Sequence, residues 1–171
     1  MFKNIRYSIL VTLGLALLFA IPSLADFKND KPSTACKYLA YIGLNAGDYQ
    51  ILEEGYDNYF CCSSYKEVGG PGWPVKNDIS YYVEGSADSI RTLYLVLSVN
   101  NKTEAGSAHS SLVEYGNHLT QKALGQSLPK GTQEAILKGK PGEWTLAGSK
   151  TKVIRDDWPT GKGYSIELRI E

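Results

Sequence analysis

Two histidines, three cysteines and one methionine are all that 171 residues hold of the side chains that most often bind metals or carry redox chemistry. Cys36, Cys61 and Cys62 lack the C-x-x-C spacing of a zinc or thioredoxin-type site, and no histidine lies near them in the sequence. At about 100° per residue, His109 and His118 fall on opposite faces of a helix, so they cannot share a metal, and both read as solvated. Gly-x-Ser-x-Gly is missing, which removes the nucleophile elbow of the α/β hydrolases. Gly161-Lys162 has Asp156 where a P-loop needs glycine and Gly163 where it needs Ser or Thr, so it reads as a hairpin turn. Glu53-Glu54 and Asp156-Asp157 are adjacent pairs whose side chains diverge on an extended chain, a poor arrangement for glycoside hydrolysis. The expectation is a protein without cofactor or metal, and not an enzyme.

An excess of either charge is also missing: 18 Lys+Arg stand against 18 Asp+Glu. That balance argues against nucleic acid or an anionic membrane as the main partner. A second long hydrophobic run is missing as well, and the one present is N-terminal. Lys3 and Arg6 precede an apolar stretch from Tyr7 to Ile21, Pro22 follows it, and Ser23-Leu24-Ala25 has the small residues of a cleavage site. Met1 to Ala25 therefore reads as a secretory signal peptide, short for a membrane span, and left uncleaved it would act as an anchor. Residues 26–171 then form a single domain with 16 basic and 18 acidic side chains, Lys3 and Arg6 having left with the signal. A periplasmic or secreted location follows, with no membrane contact after cleavage.

Export places the cysteines in an oxidising compartment, where one disulfide and one odd thiol are expected. Cys61 and Cys62 point to opposite sides of an extended segment, so only one of them can meet Cys36. The Ser63-Ser64 turn beside Cys62 favours Cys36 with Cys62, and Cys36 with Cys61 is the alternative. Either bridge is worth roughly 3–4 kcal/mol.

The rest of the chain reads as an α+β domain: an antiparallel sheet of about five to six strands, with one long helix and an N-terminal helix packed on one face. The N-terminal helix is expected over Ala35 to Ile42, capped by Thr34 and stopped by Gly43. A short strand is expected through Tyr59 to Cys62. Ile79, Tyr81 and Val83 alternate with polar neighbours, as do Leu93, Leu95, Leu97 and Val99, which predicts a hairpin. From Asn101 to about Leu124, Ala108, Leu112, Tyr115, Leu119 and Ala123 recur at helical spacing, and Gly125 ends the helix. A shorter helix is expected around Thr132 to Lys138, then strands over 144–147, 150–156 and 164–170.

Two surfaces stand out as interaction candidates. The hairpin Arg155 to Tyr164 combines Arg155, Asp156, Trp158, Lys162 and Tyr164, and such aromatic and arginine side chains dominate binding energies at interfaces. Tyr82 and Tyr94 point away from the leucines, with Trp73 close by in the sequence, and would give the sheet an aromatic face. The leading expectation is a protein-binding domain meeting another envelope or extracellular protein, such as an inhibitor or immunity-type protein. The alternatives are a small-ligand or glycan-binding module using the aromatic face, and an envelope hydrolase of unrecognised type.

Overall fold

The computed structural model describes residues 26–70 and 75–171, so the segment read as a signal peptide, Met1 to Ala25, and Trp73 lie outside the described residues. Helix α1 (Pro32–Ala35), strands β1 (Gln50–Ile51), β2 (Tyr59–Cys62), β3 (Lys66–Val68), β4 (Asn77–Gly85) and β5 (Ile90–Val99) come first. Helices α2 (Ala105–Ala123) and α3 (Lys130–Leu137) follow, then β6 (Gly142–Leu146), β7 (Ser149–Asp157) and β8 (Tyr164–Ile170). All strand pairings are antiparallel in one eight-stranded sheet, ordered β1-β2-β4-β5-β8-β7-β6, with β3 beside β2 along the same edge of β4.

Five or six strands were expected and eight are present among the described residues, because β1 and β3 hold two and three residues, too few for alternation to register. The expected hairpin is β4–β5, in register from Asp78↔Ser98 to Gly85↔Ile90. One sheet face holds the core: Ile79, Tyr81, Leu93, Leu95, Leu97, Ile166, Leu168 and Ile170 are wholly buried there. Against it lies α2 with Ala108, Leu112, Leu119 and Ala123, also wholly buried, while Tyr115 is only partly covered. Gly125, at φ +75°, closes the helix by donating to the Thr120 and Gln121 carbonyls, a left-handed cap that favours glycine.

The N-terminal helix differs from the expected one. It begins earlier, because Pro32 suits the first helical turn, and it lasts one turn before a separate 3₁₀ turn at Ala40–Ile42. The break has a local cause. The Ala35 carbonyl that an α-helix would offer to the Leu39 amide accepts instead from the Tyr38 amide at 3.0 Å and the Tyr81 hydroxyl at 2.9 Å.

The disulfide joins Cys36 to Cys61, with Cα atoms 6.2 Å apart, correcting the Cys36–Cys62 pairing. Strand alternation decides it: Cys61 sits opposite Val83 on the buried face, where α1 lies, whereas Cys62 sits opposite Tyr82 on the other face and is exposed. The turn expected at Ser63-Ser64 is absent: Ser63 is buried, its amide donates to the Tyr81 carbonyl at 2.9 Å, and its hydroxyl accepts from the Tyr81 amide at 2.9 Å.

Candidate functional site

Hairpin 155–164 divides its candidates between interior and surface. Tyr164 is buried, and its hydroxyl lies 2.9 Å from His109 Nε2, with His109 Nδ1 3.1 Å from the Leu137 carbonyl oxygen. His109 is thus a core histidine tying α2 to the end of α3 and to β8, which corrects its reading as solvated. Arg155 covers the Tyr164 ring at 3.8 Å and grips Asp157, with Nη2 2.7 Å from Oδ1 and Nε 3.0 Å from Oδ2. Its guanidinium pKa is raised by that hydrogen bond, and the Asp157 carboxyl is held below its ordinary value by the same partner. Trp158 packs on Gly163: a Cβ there would fall 2.4 Å from the indole and 2.5 Å from the Val99 carbonyl oxygen. Asp156 and Lys162 are exposed. The tip is therefore a braced turn, with Asp156 and Lys162 as its free charges.

Tyr82 and Tyr94 lie on the sheet face opposite the helices, as their alternation with buried residues dictates. Cross-strand register sets Cys62, Tyr82, Tyr94, Arg169 and Lys152 in one row across five strands. The two rings stack at 4.8 Å with planes 5° apart, and the Arg169 guanidinium lies 4.8 Å from the Tyr94 ring centroid. Neighbours in such a row are about 5 Å apart, so parallel rings at this separation stand on edge and present rims outward. Carboxylates frame the stack: Tyr94 donates to Glu84 at 2.6 Å, Arg169 pairs with Glu167, and Lys152 bonds Glu171 at 2.6 Å. The sequence pattern pointed to Tyr82 and Tyr94 here. It missed Arg169, Glu84 and Glu167, which come into range only through the pairing of β5 with both β4 and β8.

Trp158 does not join this stack. Val99 lies five residues beyond Tyr94 on β5, about 17 Å of extended chain, so the hairpin and the tyrosine row are two separate surfaces. Among the described residues no group of three or more His, Cys, Asp or Glu is placed to hold a metal, and no helix is long and apolar enough to cross a membrane.

Burial makes the tyrosines respond to alkali. Desolvation raises the phenol pKa of Tyr38, Tyr81, Tyr94 and Tyr164 above the ordinary value, with the Glu84 hydrogen bond adding to it at Tyr94. Tyr49 is pushed up to about 12, chiefly by burial, with Arg91 opposing and Asp57, Glu84 and Tyr59 adding. Unfolded phenols ionise near pH 10 while the folded ones stay neutral, so this stabilisation is complete below pH ~10 and is lost as pH rises toward ~12. Denaturant titrations at pH 9 and pH 11.5 are expected to show that loss, with Tyr94→Phe reducing it. Equal stability at both values would contradict the assignment.

Compared with known proteins, the chain matches no family model, and no curated protein or solved structure is significantly similar to it.

Proposed function

We propose that this is an exported, non-enzymatic domain that binds another envelope or extracellular protein through the open face of its sheet. One observation carries the reading. Among the described residues the helices cover a single face of the sheet, while the other presents half-buried Tyr82, Tyr94 and Arg169, fixed against one another and framed by carboxylates. Rigid tyrosine and arginine groups lose little entropy when a partner immobilises them, which is why they concentrate binding energy at interfaces. The Cys36–Cys61 bridge supports export, since such bonds persist in oxidising compartments. An inhibitor or immunity-type role is the concrete form of the proposal. A glycan platform on this face is less favoured, because sugar stacking uses ring faces and these rings offer their rims.

The test is recovery of a partner from envelope extract by the wild-type protein and by Tyr82→Ser/Arg169→Ser. Loss of about 2 kcal/mol, roughly thirtyfold in affinity, is expected for the double variant. The exposed Cys62 thiol, beside Tyr82, should be shielded from maleimide when that partner is bound. Undiminished recovery together with unchanged labelling would remove this face from the proposal. Trp158→Ala tests the hairpin separately.

A further inference from the structure

On the opposite side of the molecule, a groove of about 610 Å³ runs between the segment 33–41 and the last turns of α2, lined by Ser33, Thr34, Lys37, Tyr38, Tyr41 and Lys122, with Ala40. Its size is that of a small-ligand site. Among the described residues, Lys37 and Lys122 are its only charged lining groups. Among the described residues neither has a carboxylate within 4 Å, a state they share with Lys28, Lys31, Lys66, Lys102, Lys130, Lys140 and Lys162; what sets these two apart is that they line one groove. A pair of lysines left without carboxylate partners on one groove is a ready receptor for negative charge.

The groove is not built for a bare anion. Tyr41 is 60% exposed, so its ring is open to a ligand, as are the still more exposed rings of Tyr56 and Tyr65 elsewhere on the surface. The Lys122 ammonium lies 5.3 Å from the Tyr41 ring centroid, and His118 meets that ring edge-on at 5.7 Å, which limits its freedom to turn. The Ser33 and Thr34 hydroxyls add groups that both donate and accept. The wall carrying them is anchored to the sheet by the Cys36–Cys61 bridge and by the Tyr81 hydroxyl on the Ala35 carbonyl. An aromatic ring, hydroxyls and two cations in one anchored groove match a ligand with a stackable body, hydroxyl groups and a carboxylate.

We propose that this groove binds an acidic saccharide, a pyranose ring carrying a carboxylate. Tyr41 stacks on the ring, Lys37 and Lys122 hold the carboxylate, and Ser33 and Thr34 bond the sugar hydroxyls. The site is independent of the open sheet face.

Calorimetric titration of the purified protein with a galacturonate trisaccharide tests it, with the neutral galactose counterpart and inorganic phosphate as comparisons. Binding with a Kd of about 1 mM or tighter is expected for the acidic sugar, at least tenfold weaker for the other two. Lys37→Ala, Lys122→Ala and Tyr41→Ala alter exposed positions and should each weaken binding about tenfold, with thermal midpoints unchanged. Tyr41→Phe should retain it, since the ring and not the hydroxyl is used. Equal binding of the neutral sugar would overturn the role of the lysines. Equal binding of phosphate, or indifference to Tyr41→Ala, would overturn the stacking, and no binding of the acidic sugar would overturn the proposal.

Discussion

Cys36→Ser or Cys61→Ser is expected to lower stability by about 3.5 kcal/mol, while Cys62→Ser changes it by less than ~0.5 kcal/mol. The first figure follows from the entropy that a bridge across a sequence separation of 25 removes from the unfolded chain. For a domain of this size it corresponds to a thermal midpoint lower by about 10 °C. Two further costs point the same way. Cys36 and Cys61 are both buried, and the one-turn α1 has too few hydrogen bonds of its own to stay in place without its tether. Thermal unfolding of the three variants without reductant provides the measurement, alongside wild type with and without dithiothreitol. Reduced wild type should match the Cys36→Ser/Cys61→Ser double variant. Should Cys62→Ser produce the large loss instead, the pairing is the other one.

The second large effect lies where α2 crosses the sheet. Gly116 is buried, and a Cβ placed there would come within 2.5 Å of Leu168 Cδ2 and 2.7 Å of Leu128 Cδ1. The missing side chain is what lets the helix approach β8 closely. Gly116→Ala is therefore expected to cost about 1–3 kcal/mol through overpacking, although alanine is the better helix former by ~1 kcal/mol. Leu168→Ala should cost about 3 kcal/mol, from lost burial and the cavity left behind. In the double variant the new methyl group occupies part of the space vacated by the leucine. Its loss should fall short of the summed single losses by about 1 kcal/mol. Denaturant titrations of all four proteins complete this cycle. A strictly additive result would mean that the two positions do not share the space.

These residues also show what the sequence could reveal. The leucines of β5 and the α2 face were legible, because a buried stripe leaves a period of two or 3.6 in the chain itself. Tyr82 and Tyr94 could be assigned to the opposite face by the same rule. Gly116 and His109 left no such trace: each is explained by a neighbour from β8, remote in sequence, and only the pairing of β5 with β8 supplies it. The pairing of Cys36 was legible in principle, since alternation alone places Cys61 on the Val83 face. The groove around Tyr41 was hidden for another reason. Its walls come from 33–41 and from Lys122, and the expected continuous helix over Ala35 to Ile42 would have aimed those side chains differently.

The position of β8 bears on how the chain acquires its structure. The strand latest in the sequence, Tyr164–Ile170, lies inside the sheet between β5 and β7, and its partner β5 is more than sixty residues earlier. Closing so long a loop carries a large entropic cost before any contact repays it, which slows folding. Without those residues β5 has one hydrogen-bonding edge unsatisfied, and β7 loses its strand partner, leaving the hairpin β6–β7 held by its packing on α3. Removal of residues 164–171 should therefore leave a polypeptide without a cooperative unfolding transition.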